Sequence, residues 1–94
     1  MLAQGQQFSH LRVIKFVKEL SIADSIGVCD PPTAKNRKIE ISTEIKGKKE
    51  LEVLLHEALH ACHWDLDEEA VYESANDIAN MLWKCGFRKK IEKS

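Results

Sequence analysis

What this chain lacks narrows its class before any motif is read. No apolar run approaches the roughly 20 residues that span a bilayer, so no membrane partner is expected. The first residues hold no apolar core of the kind a secretory leader needs. Three cysteines, Cys29, Cys62 and Cys85, cannot all pair within one chain, and no Cys-x-x-Cys occurs. Free thiols in a reducing, cytoplasmic setting are therefore expected. An excess of one charge is missing too. With 14 Lys and Arg against 15 Asp and Glu, the formal net charge is −1, which argues against nucleic acid as a partner. Two basic clusters, Lys35-Asn-Arg-Lys38 and Arg88-Lys-Lys90, read as solvated loop and tail. Linkers, internal repeats and low-complexity segments are absent. The 94 residues, 44% of them hydrophobic, read as one domain over 1–94, with a Gln-rich, frayed stretch at 1–7. A core of this size is marginal, and a bound metal would help to hold it.

What is present is concentrated in Leu51-Glu-Val-Leu-Leu-His56-Glu57-Ala-Leu-His60-Ala-Cys62. At 100° per residue His56 and His60 lie one helical turn apart on the same side, so two imidazoles can reach one ion. Glu57 is rotated about 100° from His56, beside the ligands. Leu51, Leu54, Leu55, Ala58 and Cys62 form the opposite, core-facing stripe. Neutral imidazole is a good ligand for Zn²⁺, and a catalytic zinc site keeps three protein ligands and an exchangeable water. Zinc lowers the pKa of such a water to about 7. A carboxylate beside it can take the proton during attack on a carbonyl and return it to the leaving amine. His-Glu-x-x-His also arises by chance on amphipathic helices, so its placement between a metal side and an apolar side is what gives it weight.

The other elements follow from periodicity and punctuation. Leu11–Lys18 reads as a strand, and Ser25–Cys29 is a short β-prone segment stopped by Asp30-Pro31-Pro32. Lys38-Ile-Glu-Ile-Ser42 alternates cleanly, which predicts a strand with one solvent-facing side, at an antiparallel or edge position. A helix begins after Gly47 and runs to about His63. Asp67 caps a second helix, with Leu66 and Val71 as a hydrophobic staple, a core stripe of Val71, Ala75, Ile78, Ala79 and Leu82, and Gly86 as its stop. The fold class expected is α+β: a short N-terminal sheet of about three strands packed on a C-terminal two-helix hairpin that carries the His-Glu-x-x-His.

Two histidines need a third ligand. No histidine follows His63, and the extended pattern with Gly and His at +3 and +6 fails at His63 and Leu66. His63 itself, about 10 Å along the axis from His56, and the carboxylates Glu68, Glu69 and Glu73 remain. Over about residues 38–83 the chain resembles the gluzincin, thermolysin-like branch of zinc metallopeptidases. There a Glu on a following helix joins the two histidines, and an Asp four residues on hydrogen-bonds one of them. Glu73-Ser-Ala-Asn-Asp77 is similar to that second motif. The resemblance implies Glu73 as third ligand and Asp77 as the residue that orients a histidine. The short gap between the motifs makes the chain similar to a minimal, compact or phage-type zincin.

The function expected on this basis is zinc-dependent peptide hydrolysis, with Zn²⁺ as cofactor, a peptide or protein as substrate, and Glu57 as base and then acid. The strand around Ile39–Thr43 is expected to offer an edge to extended substrate. His10, His63, Tyr72 or a basic residue could assist the transition state, and the sequence does not rank them. The competing expectation is a non-catalytic, zinc-stabilised binding or regulatory module, a degenerate zincin, whose closed coordination shell would draw on His63 or a cysteine.

Overall fold

A computed structural model describes residues 13–89. The segment 1–7 and the candidate donor His10 lie outside the described residues. Three strands come first, β1 (Val13–Val17), β2 (Gly27–Cys29) and β3 (Lys38–Ser42), followed by helices α1 (Gly47–Cys62) and α2 (Glu68–Lys84). The class is α+β, a small mixed sheet followed by two helices, as the sequence led us to expect. No described helix is long and apolar enough to cross a membrane.

The sheet order is β1-β3-β2, with β1 parallel and β2 antiparallel to β3. This corrects the reading of β3 as an edge with a wet face. Ile39 and Ile41 are fully buried, but so are Glu40 and Ser42, at 7% and 4% exposure. The loop after β1 closes the polar side. Ser21 donates to Glu40 Oε1 from its backbone N–H at 2.9 Å and from its hydroxyl at 2.8 Å. A buried carboxylate is tolerated when such donors replace water. The alternation in β3 therefore marks two kinds of buried face.

The basic cluster before β3 needs the same correction. Arg37 is 1% exposed. Its Nε donates to the Asp30 carbonyl at 2.9 Å and its guanidinium lies over the Trp64 ring at 5.9 Å. Lys38 pairs with Asp30 at 3.1 Å. Arg37 thus pins the β2–β3 turn and does not serve as a solvated loop charge.

Helix α1 packs on β2, β3 and α2 together. Its buried positions are Glu50, Val53, Glu57 and Ala61, while Leu51, Leu54, Leu55, Ala58 and Cys62 are only half-buried. The stripe facing the sheet is thus the Val53–Glu57–Ala61 side, against the expected Leu51–Cys62 side. Val53 and Ala61 join Ile39 and Ile41 in the core. Gly47 opens α1 with φ of +65°, a left-handed conformation that favours glycine at that step.

Helix α2 matches its sequence signals closely. Asp67 accepts from the Ala70 N–H at 3.2 Å as N-cap. Val71, Ala75 and Ala79 are buried along one stripe. Gly86, at φ +93°, ends the helix, with Phe87 N donating to Leu82 O at 3.1 Å and Gly86 N to Trp83 O at 3.0 Å, the paired bonds of a Schellman motif.

Candidate metal centre

The two histidines come from one helix because the local signals of α1 are strong, and the third group comes from the start of α2. His56 Nε2 lies 3.2 Å from His60 Nε2. Glu68 reaches both rings, with Oε2 3.1 Å from His56 Nε2 and Oε1 3.2 Å from His60 Nε2. These atoms all lie within 4.8 Å of one another, and no other such group of three occurs among the described residues.

The spacing can be compared with what zinc requires. Tetrahedral bonds of about 2.0–2.1 Å place neighbouring ligand atoms about 3.3 Å apart. The three distances observed, 3.1 to 3.2 Å, are close to that edge length. Two imidazoles and a carboxylate are also a donor set that zinc accepts, leaving a fourth position free for water. The same distances suit hydrogen bonds, so convergence alone does not tell a metal from a proton as the bridge.

The third ligand expected from the sequence is corrected by this geometry. Glu73 and Asp77 are exposed, and neither joins the histidines. Among the described residues Asp77 makes no hydrogen bond to either ring. The reason is rotational. On a 3.6-residue helix Glu68 shares its azimuth with Ala75 and Ala79, which are buried, whereas Glu73 and Asp77 fall about 140–180° away. Glu68 does lie on the packing stripe, but at its first turn, where the stripe emerges from the hairpin. Its side chain is 72% exposed there and free to bend onto the histidines. Glu69 and His63 are exposed and outside the group, and no cysteine joins it.

Glu57 occupies a different environment from Glu68. It is 8% exposed and points towards β2. Burial, with a further contribution from the Glu68 charge, raises its pKa to about 7. A carboxyl with that value is suited to accepting and releasing a proton near neutrality. Burial also lowers the pKa of His60 against the opposing pull of Glu68, which favours the neutral imidazole that binds metal.

Gly27 makes this placement possible. A Cβ there would stand 2.6 Å from Val53 Cγ1 and 2.9 Å from Glu57 Oε2. Sequence reasoning missed this role, although a glycine inside a β-prone segment does signal close approach. A cleft of about 200 Å³ opens beside the site, lined by Ile26 and Gly27, by Val53, His56 and Glu57, and by Tyr72, Ala75 and Asn76. Cys29, two residues on from Gly27, is inert by contrast: burial, partly opposed by Arg37, pushes its thiol up to about 11.

Comparison with protein-family models, with curated proteins and with solved structures finds no match to this chain.

Proposed function

We propose that this chain is a zinc-dependent metallopeptidase of the minimal, gluzincin-like kind. The observation that carries the reading is the triangle of His56, His60 and Glu68 ligand atoms at zinc-like spacing, with the buried carboxyl of Glu57 next to it. His56, His60 and Glu68 would hold the ion. When bound, zinc supplies Lewis acidity, which acidifies water and polarises a carbonyl.

The chain's own residues account for the proton. Glu57 accepts a proton from the attacking water as the water oxygen bonds to the carbonyl carbon. It then gives that proton to the amide nitrogen as the C–N bond breaks, so acid, amine and enzyme are all balanced at the end of the cycle. Its burial keeps bulk water from competing for the proton. An extended substrate suits the sheet. β3 is the central strand, so the edge once expected from Ile39–Thr43 is replaced by the outer edge of β2, adjacent to Glu57.

The test is Glu57→Gln. Zinc should stay bound while hydrolysis of a peptide library falls by about 10²–10⁴-fold, the usual worth of general acid–base assistance. Equal hydrolysis by both proteins removes Glu57 from the reaction. Zinc bound by both with no cleavage by either replaces the peptidase with the non-catalytic module.

A further inference from the structure

Hydrolysis of an amide moves an electron pair onto the carbonyl oxygen while the tetrahedral carbon forms. A donor aimed at that oxygen lowers the barrier because its hydrogen bond strengthens as the charge develops. We propose that Tyr72 is that donor, its phenolic O–H pointing at the substrate carbonyl oxygen. This assignment rests on the peptidase reading above.

The geometry favours Tyr72 over the other donors. It lines the same cleft as His56 and Glu57. It stands one turn after Glu68, about 6 Å along the axis of α2, and only about 40° away in azimuth. Side chains on a helix lean towards its N-terminus, so the Tyr72 ring is carried back over the turn that bears Glu68. The residue is 58% exposed, and among the described residues nothing hydrogen-bonds its hydroxyl, so the group is not committed to the fold. A packing tyrosine would instead be buried with its hydroxyl engaged.

The remaining donors are worse placed. Asn76 stands about 12 Å along the axis from Glu68 and has a short side chain. Lys49 lies about 10 Å before His56 and already faces Glu52 at 3.9 Å. His63 is exposed and does not line the cleft, and Arg37 is buried against Asp30 and Trp64. In the reaction Tyr72 keeps its proton. Its hydrogen bond tightens as the carbonyl electron pair moves to oxygen, and it relaxes when that pair re-forms the carbonyl as the C–N bond breaks.

The zinc-loaded full chain with Tyr72→Phe tests this, because only the hydroxyl is removed. Hydrolysis should fall by about 10²–10³-fold in kcat with KM unchanged. Calorimetric affinity for a phosphinic peptide, whose tetrahedral oxyanion imitates the charged centre, should weaken by a similar factor. Affinity for the cleaved peptide products, zinc affinity and melting temperature should not move. Unchanged hydrolysis and unchanged phosphinic binding overturn the assignment and leave the peptidase standing. Zinc affinity falling in step with activity overturns it as well, since Tyr72 would then act on the metal site or the fold. A wild type that holds zinc but neither cleaves peptides nor binds the phosphinic peptide removes the peptidase reading, and Tyr72 with it.

Discussion

Helices α1 and α2 are nearly equal in length, yet they answer to their sequences differently. In α2 burial follows the helical period: Val71, Ala75 and Ala79 are buried, while Tyr72, Glu73, Asp77 and Asn80 are exposed. In α1 no residue from Glu50 to Cys62 is exposed. The difference is one of layer. Helix α2 has a single partner, so one stripe suffices, whereas α1 lies between the sheet and α2 and has no solvent face to mark the opposite of its core. Polar groups on an inner helix are desolvated whichever way they point. That is where His56, Glu57 and His60 sit, and their site is completed by an exposed acid from the outer helix.

The largest effect that could break this picture concerns that acid. Glu68→Ala should lower zinc affinity by well over the 10–100-fold typical of an outlying partner, whereas Glu73→Ala and Asp77→Ala should leave it unchanged. Competition titrations with a zinc chelator measure all three. Loss of zinc on removing Glu73, with Glu68→Ala silent, would return the site to the arrangement implied by the family resemblance.

The contrast between layers also explains what could be read in advance. The α+β class, the strand and helix positions and both caps of α2 were legible, because each depends on neighbours within a turn or two. His56, Glu57 and His60 were legible for the same reason. The third ligand was not. Glu68 and Glu73 differ by five residues and about 140°, and choosing between them requires the rotation of α2 about its axis, which packing against α1 decides. The central place of β3 was hidden likewise. The group that satisfies Glu40 is Ser21, 19 residues earlier, and no periodicity announces it.

A second comparison tests whether α1 really is an inner element. Val53 and Val71, one on each helix, are 7% and 0% exposed. Each Val→Ala change should cost on the order of 2 kcal/mol in chemical unfolding of the metal-free protein. Glu73→Gln on the outer face of α2 should stay within about 0.5 kcal/mol. If Val53→Ala is as mild as the surface change, α1 does not pack on the sheet as described.

The smallest effect sharpens the contrast between two buried acids. Glu57, lacking comparable donors, has its pKa raised, while Glu40 on β3 has its pKa lowered, chiefly by the Ser21 backbone N–H and, against the opposing cost of burial, by the Ser21 hydroxyl as well. The sign for Glu40 follows from linkage. A carboxyl whose folded pKa lies below its unfolded one stabilises the fold above the ordinary glutamate range, and that contribution is lost as pH falls through the range towards the folded value. Glu40→Gln should therefore lower stability at neutral pH and flatten its loss on acidification. Ser21→Ala should do the same more weakly, because the backbone N–H remains. Denaturant midpoints recorded from neutral pH downwards give the comparison. Parallel acid limbs for wild type and Glu40→Gln would mean that the carboxylate at 40 is no better held in the folded chain than in the unfolded one, and the two buried acids would no longer differ as their surroundings require.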